Sequence, residues 1–315
     1  MKKQTLYKLL RIVFSIALIS FVLSMTNLVE LIAVLKSVNV WWIVVALLLE
    51  FLRVLICSCR WRVLLSAKGI RSSLGSLVSF YFVGNFFNML LPTALGGDAM
   101  RAYKSANYTG KTADSITSVL VERILDFVAL FVICWISLAI SGLEWLKGTD
   151  TLLIVSCLSG ALLLLLVLMF NRRLMQKITS LGRLIKWWDA EARLKAFFNS
   201  LHELLHYKRS LGIAFGISLI YQFAGIVSPF LLSLALDLKV PFSFFLVVMP
   251  VICVITMIPI SIGGLGVREG AFVFFFAQQG ITTESALALS LLYLGLNLAL
   301  ALVGGIIYGV GKYPR

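Results

Sequence analysis

Two arginines, Arg101 and Arg268, each lie four residues after a pair of glycines in a strongly apolar chain. Their segments read PTALGGDAMR (92–101) and PISIGGLGVR (259–268), and both fit the pattern P-x3-G-G-x3-R at a constant offset of 167 residues. A guanidinium group presents a planar set of donors that suits a phosphate. The repeated pattern therefore predicts two related sites for an anion such as a phosphate group.

The prolines and glycines of these segments predict broken helices. Pro92 and Pro259 would each end an incoming half-helix, because proline cannot continue a helix. A glycine pair permits a tight turn with exposed backbone. Within the membrane, such backbone occurs only where it lines a polar cavity or is buried in protein. The next half-helix would direct unpaired N–H groups into that cavity and favour an anion there. The pairs are Gly96 and Gly97, and Gly263 and Gly264.

A structural alternative stays open for both segments. Glycines can also serve only to let helices pack closely, and an arginine can extend its side chain towards a lipid headgroup. The duplication of the whole pattern favours a functional role over this alternative.

Other charged residues lie within apolar segments, where an ionisable group must face a cavity or a partner. Glu122 and Asp126 are four residues apart and share one helix face, beside Arg123. Like charges at this spacing are unfavourable unless a cation lies between them, either an arginine or the amine of a substrate. Two further pairs, Glu50 with Arg53 and Glu269 with Arg268, are candidates for internal ion pairs. For all of these, purely structural pairing is the alternative.

The composition indicates an integral membrane protein. The chain has 315 residues, of which 60% are hydrophobic and 13% charged, and its mean hydropathy is +1.00. Several apolar segments reach the ~20 residues that a helix needs to cross a bilayer. We expect an all-α, polytopic helical bundle of one domain, 1–315, with about six full spans. These lie at 9–26, 40–58, 114–140, 151–170, 211–236 and 284–310.

Two shorter apolar pieces, 74–91 and 242–258, end in the Pro and Gly segments. The basic residues cluster at 2–11, 60–71, 101–111, 172–209 and 312–315. Basic loops tend to stay in the cytoplasm, so these clusters predict cytoplasmic N- and C-termini. They also predict that the two pieces are re-entrant hairpins entering from opposite sides. Residues 40–110 and 211–278 would then form an inverted repeat.

The net charge of +14 has two interpretations. In a soluble protein it would suggest nucleic acid, but in a membrane protein it reports orientation and contact with anionic lipid, so we expect no nucleic-acid partner. Residues 172–209 place apolar and aromatic residues at helical spacing among basic ones, which predicts an amphipathic section on the cytoplasmic leaflet. A solvated linker helix is the alternative.

Motifs for metals and cofactors give weak signals. The segment HELLH, from His202 to His206, fits the H-E-x-x-H pattern of zinc proteases, but the chain has no other histidine to act as third ligand. GGLGVREG misses the G-x-G-x-x-G spacing of a dinucleotide loop. Five scattered cysteines give no disulfide framework. We expect neither a metal nor a cofactor, and a zinc membrane protease stays a remote alternative.

Three segments resemble a known family: GNFFNMLLPTALGGDAMRAY, VERILDFVAL and IPISIGGLGVREGAF are similar to signature segments of the lysylphosphatidylglycerol synthase transmembrane, or flippase-like, domain. The resemblance covers nearly the whole chain and includes Arg60 and Trp61. Larger members add a soluble aminoacyl-transferase domain, which this sequence does not show. The residues that match are Asn88, Pro92, Gly96, Gly97, Asp98, Arg101, Glu122, Arg123, Pro259, Gly263, Gly264, Arg268 and Glu269.

The resemblance implies lipid translocation, of a phospholipid or an aminoacylated phosphatidylglycerol, across the cell membrane. In this interpretation Arg101 and Arg268 hold the phosphate, and Glu122, Asp126 and Glu269 meet an amine on the headgroup. The partners would be membrane phospholipids and possibly a separate lipid-modifying enzyme. The alternatives are a membrane enzyme related to phosphatidylglycerol lysyltransferase and a membrane scaffold subunit.

Overall fold

A computed structural model describes residues 26–91, 96–141, 151–170, 199–204, 206–257 and 263–311, with Ser20, Ser24 and Ser261. Ten helices carry the fold within these ranges, and no strand occurs there. In chain order they are α1 (Leu28–Lys36), α2 (Val40–Ala67), α3 (Leu74–Leu90), α4 (Gly96–Thr109), α5 (Thr112–Ser141), α6 (Thr151–Phe170), α7 (Lys208–Ala235), α8 (Phe242–Met257), α9 (Val267–Ala277) and α10 (Thr283–Val310).

Several helices begin at a polar side chain that accepts a hydrogen bond from the first turn. Asn27 caps α1, Asn39 caps α2, Ser73 caps α3 and Thr282 caps α10. Such a cap satisfies a backbone N–H that has no partner within the helix and contributes ~1 kcal/mol. The helix α10 ends at Val310 and is followed by Gly311, which caps it in a left-handed backbone conformation.

Four helices, α2, α5, α7 and α10, are long and apolar enough to cross a membrane. At 1.5 Å per residue, each is about 42 Å long or more, which exceeds the ~30 Å hydrocarbon core. They coincide with the predicted spans 40–58, 114–140, 211–236 and 284–310, and α6 coincides with 151–170. The predicted span 9–26 lies almost entirely outside the described residues. The chain is therefore an all-helical polytopic membrane protein, as predicted.

The two shorter apolar pieces are also helices, and each is followed by a break and a second short helix. The helix α3 ends at Leu90 and α4 begins at Gly96, while α8 ends at Met257 and α9 begins at Val267. In both cases the two short helices contact each other. Pro92 and Pro259 lie outside the described residues, as does most of the section 172–209. The repeat boundaries and the sides of entry stay predictions.

The matched glycines differ in local conformation. Gly96 and Gly97 are the first two residues of α4. Gly263 and Gly264 instead lie in a turn before α9, with φ of 58° and 75°. Both angles are in the left-handed region, which favours glycine. The expectation of equivalent roles is therefore corrected: the first pair starts a helix, whereas the second pair shapes a turn.

The core consists of packing contacts between long helices and between short and long helices. The helix α2 packs along α7, and α3 packs along α10. Five buried phenylalanines fill the space between α8 and α9, and Phe276 lies 5.2 Å from Phe244 and 5.4 Å from Phe272 between ring centroids. Such aromatic packing holds the two short helices against each other. The five are Phe244, Phe245, Phe272, Phe275 and Phe276.

Candidate functional site

A polar cavity of about 240 Å³ lies among seven helices, α2, α3, α4, α5, α7, α8 and α10. We call it the central cavity. A second cavity of about 260 Å³ adjoins it and includes Gly263 and Arg268 from the second broken helix. Asn85, Asn88 and Arg123 line both. The charged residues of the central cavity are Glu50, Arg53, Arg60, Asp98, Arg101, Arg123 and Asp126.

Arg60 lies between the two carboxylates that share a face of α5. Its Nε donates to Glu122 at 3.2 Å, and its Nη2 donates to Asp126 at 3.2 Å. Its Nη1 donates to Asp126 and to Ser218, the latter at 2.8 Å. Arg60 is only 1% exposed. The cation predicted between Glu122 and Asp126 is therefore this arginine of α2.

Arg101 is held by protein groups on every side. It donates to Glu122 at 3.0 Å and to Asp98 at 2.8 Å. Its guanidinium carbon lies 4.0 Å from the ring centroid of Tyr81 and 5.0 Å from that of Trp61. Tyr81 in turn donates its hydroxyl to Glu122 at 2.6 Å. These contacts leave Arg101 4% exposed and make it a central part of the ion-pair network.

The side chain of Arg123 is more exposed to solvent than that of Arg101. Its Nε donates to Asp98, which also accepts from Arg101. The Arg123 side chain is 31% exposed, and no other hydrogen bond from it is found in the described part of the chain. Because Arg123 lines both cavities, its guanidinium is placed to receive an acceptor from either.

The network is electrically balanced. Four arginines, at 53, 60, 101 and 123, face four carboxylates, at 50, 98, 122 and 126. The predicted pair of Glu50 with Arg53 is confirmed, with N–O distances of 2.7 and 2.9 Å. Burying charge in this way is tolerable because each group has a partner. Among the described residues, Glu50 and Asp126 each have a single arginine partner, so removing that arginine would leave the carboxylate uncompensated.

The second copy holds its own ion pair. Arg268 donates Nε and Nη2 to one oxygen of Glu269, at 3.1 and 2.6 Å. The other oxygen of Glu269 accepts from the backbone N–H of Gly266. The pairing of Glu269 with its neighbours is therefore confirmed. Arg268 lines the second cavity, whereas Arg101 lines the central one, so the structure separates the two arginines.

Two backbone N–H groups at the helix breaks, those of Gly97 and Gly266, already have side-chain acceptors. The Gly97 N–H donates to the Asn88 side chain at 2.8 Å, and Glu269 serves the corresponding turn through Gly266. Because a buried donor without a partner costs ~1–3 kcal/mol, the chain supplies its own acceptors. The Gly97 N–H is therefore engaged within the protein, whereas the role of the N–H groups that follow Gly97 and Gly264 in binding an anion stays a prediction.

Several polar residues of the site were missed from the sequence. Tyr81, Tyr221, Gln222, Tyr293 and Asn297 all line the central cavity. The available signal was a polar side chain within an apolar helix, because such a side chain usually faces protein or water. Tyr221 receives Arg53 on its ring face, with the guanidinium carbon 4.4 Å from the centroid.

The HELLH segment lies away from this network. Glu203 accepts from Lys68 at 2.5 Å, so it is held in an ion pair. His206 contacts the backbone oxygen of His202 at 2.8 Å. Over the described ranges, no group of three or more His, Cys, Asp or Glu side chains is placed to hold a metal ion.

Comparison with known proteins places the chain in a family. Residues 8–305 match the family described as lysylphosphatidylglycerol synthase TM region. A UPF0104 membrane protein of Methanothermobacter thermautotrophicus is 24% identical, covering 89% of this chain and 87% of that protein. A UPF0104 membrane protein of Pyrococcus horikoshii is also 24% identical, covering 95% and 96%. No solved structure matches this chain. The chain is an integral membrane protein and belongs to the lysylphosphatidylglycerol synthase transmembrane-region family.

Proposed function

We propose that this protein translocates a lipid whose headgroup carries a phosphate, and that the central cavity receives this phosphate. The observation that carries the proposal is the open guanidinium of Arg123 within a charge-lined cavity among apolar helices. Charged side chains at this depth usually mark a substrate path. The name of the family, which refers to an enzyme of lipid synthesis, agrees with a lipid substrate.

In the proposed mechanism, the phosphate competes with Asp98 for Arg123. Asp98 has a second partner in Arg101, 2.8 Å away, so it stays compensated when Arg123 turns to the substrate. The second cavity, with Arg268, adjoins this position. The phosphate would pass from Arg123 towards Arg268 while the acyl chains remain in lipid. Alternating access between two related halves is the usual scheme for such folds.

A role for carboxylates in binding a headgroup amine has less support. Glu122 contacts Arg60 and Arg101, Asp126 contacts Arg60, and Glu269 contacts Arg268. An amine would have to displace an arginine from each of them. We therefore assign Glu122 and Asp126 to the ion-pair network, and Glu269 to its separate pair with Arg268.

The remaining parts of the proposal concern location and partners. We propose the cell membrane as the location, with cytoplasmic N- and C-termini, on the strength of the basic clusters in the sequence. Membrane phospholipids would be the substrates. A separate lipid-modifying enzyme is a proposed partner, since the family name refers to lipid synthesis.

Leaflet exchange in vesicles tests the proposal. The purified protein is reconstituted with fluorescent phosphatidylglycerol, and the label remaining in the outer leaflet is measured by chemical quenching. We expect exchange with the natural chain and loss with Arg123→Gln and with Arg268→Gln, while Arg123→Lys keeps part of the rate because ammonium also binds phosphate. Arg62→Gln, an exposed site on α2, is the control. A wild-type rate from a folded Arg123→Gln or Arg268→Gln protein would overturn the mechanism.

A further inference from the structure

The two polar cavities have six described lining residues in common, and we call these residues the shared wall. One is the cationic Arg123, four carry an uncharged amide or phenol group, and one is a cysteine. A headgroup that passes from one cavity to the other must therefore contact uncharged hydrogen-bonding groups beside one guanidinium. The six residues are Asn85, Asn88, Arg123, Cys253, Tyr293 and Asn297.

Helix geometry places the four uncharged groups together. Asn85 and Asn88 are three residues apart on α3, and Tyr293 and Asn297 are four residues apart on α10, so each pair shares one face of its helix. The helix α3 packs along α10. Because all four residues line both cavities, the two helices form one polar surface there.

Much of the hydrogen-bonding capacity of this surface is not used by the protein. Within the described ranges, the amide of Asn85 and the hydroxyl of Tyr293 make no hydrogen bond. Asn88 uses its oxygen to accept from Gly97 at 2.8 Å, which leaves its NH2 group to donate. Asn297 donates to the backbone oxygen of Tyr293 at 2.8 Å, which leaves its amide oxygen to accept. The shared wall therefore offers both donors and acceptors to a ligand.

The charges around the shared wall disfavour a cationic headgroup. In the part of the chain that the structure describes, the charged side chains lining the second cavity are Arg123 and Arg268, with no carboxylate beside them. The three carboxylates that line the central cavity each contact an arginine already. An ammonium group would thus meet two guanidinium groups without an uncompensated carboxylate. A hydroxyl group both donates and accepts, so it matches the amides and the phenol.

We propose that the shared wall selects phospholipids whose headgroup is an uncharged polyol, such as glycerol, over phospholipids whose headgroup is an amine. Arg123 receives the phosphate, and Asn85, Asn88, Tyr293 and Asn297 exchange hydrogen bonds with the hydroxyl groups beyond it. This inference rests on the proposed function and names the class of lipid that the same site accepts.

Binding of matched lipids to the whole protein tests this selectivity separately from transport. Native mass spectrometry in detergent compares three lipids with the same acyl chains: phosphatidylglycerol, phosphatidylpropanol and phosphatidylethanolamine. Phosphatidylpropanol keeps the negative charge and the three-carbon headgroup but lacks both hydroxyl groups, and phosphatidylethanolamine carries an amine. We expect the natural chain to bind phosphatidylglycerol about tenfold more tightly than either, because the first loses hydrogen bonds and the second brings an ammonium group to two guanidinium groups.

Asn85→Leu is the variant that tests the wall itself, because within the described ranges the Asn85 amide makes no hydrogen bond whose loss would disturb the fold. We expect it to reduce the preference for phosphatidylglycerol over phosphatidylpropanol by about threefold or more. Asn107→Leu is the matched control, since Asn107 is exposed on α4 and lines neither cavity. Equal preferences in the two variants would overturn the proposal.

Leaflet exchange of the same three lipids separates this inference from the proposed function. A binding preference that Asn85→Leu weakens, without any leaflet exchange, would support the polyol site and contradict translocation. Leaflet exchange without a binding preference would overturn the polyol site and leave translocation standing. Binding of phosphatidylethanolamine as tight as that of phosphatidylglycerol would likewise overturn it. Glycerol phosphate without acyl chains is the last probe, and binding as tight as that of the lipid would overturn the assignment to a lipid.

Discussion

The guanidinium of Arg60 contacts both carboxylate oxygens of Asp126, although the two residues are 66 positions apart in the chain. This contact joins α2 to α5, and both residues line the central cavity. Arg60 also donates to Glu122, so one arginine compensates two carboxylates. The charges that line the cavity are therefore part of what holds its helices in place.

Replacing Arg60 should destabilise the protein more than replacing any exposed arginine. Arg60→Gln leaves Glu122 with fewer donors and Asp126 uncompensated, and breaking a buried pair in this way costs ~3–5 kcal/mol. Thermal unfolding in detergent measures the loss, with Arg62→Gln as the control on the same helix. The double variant Arg60→Leu with Asp126→Leu should regain part of the stability. Equal unfolding temperatures for Arg60→Gln and the control would contradict this role.

Replacing Arg101 should mainly lower stability, whereas replacing Arg123 should mainly abolish transport. Arg101 has two carboxylate partners and two aromatic rings, so Arg101→Gln should lower the unfolding temperature strongly. Arg123→Gln removes one of two arginines from Asp98, which keeps Arg101, so we expect a smaller loss of stability than with Arg101→Gln. Leaflet exchange should nevertheless be lost with Arg123→Gln. A drop in stability as large as that of Arg101→Gln would show that Arg123 is a structural anchor.

Gly97 should not tolerate a side chain. A Cβ atom there would lie 2.1 Å from the backbone oxygen of Gly84, so α3 and α4 would have to move apart. We expect Gly97→Ala to lower the unfolding temperature and leaflet exchange together. Gly295→Ala is the matched control, because this α10 glycine has open space around it and alanine favours a helix by ~0.5–1 kcal/mol. Similar behaviour of the two variants would argue against a close α3–α4 contact in the membrane.

The side chain of Asn88 should matter for the acceptor oxygen it offers to Gly97. Asn88→Leu leaves a buried N–H without its acceptor, which costs ~1–3 kcal/mol. Asn88→Asp keeps an acceptor at the start of α4, where the helix dipole favours negative charge. Thermal unfolding should therefore rank the natural chain and Asn88→Asp above Asn88→Leu. The reverse order would show that another group caps α4.

The inverted arrangement of the two hairpins is tested by labelling from each side of the membrane. Cysteines are introduced by Lys104→Cys and Gln278→Cys in a chain whose exposed native cysteines, Cys59 and Cys157, are replaced by serine. From the basic clusters we expect Lys104→Cys to react only from the cytoplasm and Gln278→Cys only from outside. Labelling of both from the same side would contradict the inverted repeat.

Much of the fold follows from local sequence. The long helices coincide with apolar runs of about 20 residues or more, and the two breaks coincide with segments rich in proline and glycine. Pairs at helical spacing, such as Glu50 with Arg53 and Asp98 with Arg101, also follow from position along one helix. These features depend on residues within one or two turns of each other, so the order of residues alone determines them.

The connections among helices were decided by the tertiary structure. The sequence predicted a cation between Glu122 and Asp126 but did not identify it as Arg60. The matched motifs suggested that Arg101 and Arg268 act together, whereas in the structure they line different cavities. The sequence likewise did not predict that Arg123 lines both cavities. The physical reason is that any of several arginines could satisfy a given carboxylate. Only the packing of helices that are distant in sequence brings one of them within hydrogen-bond distance and leaves another open to the cavity.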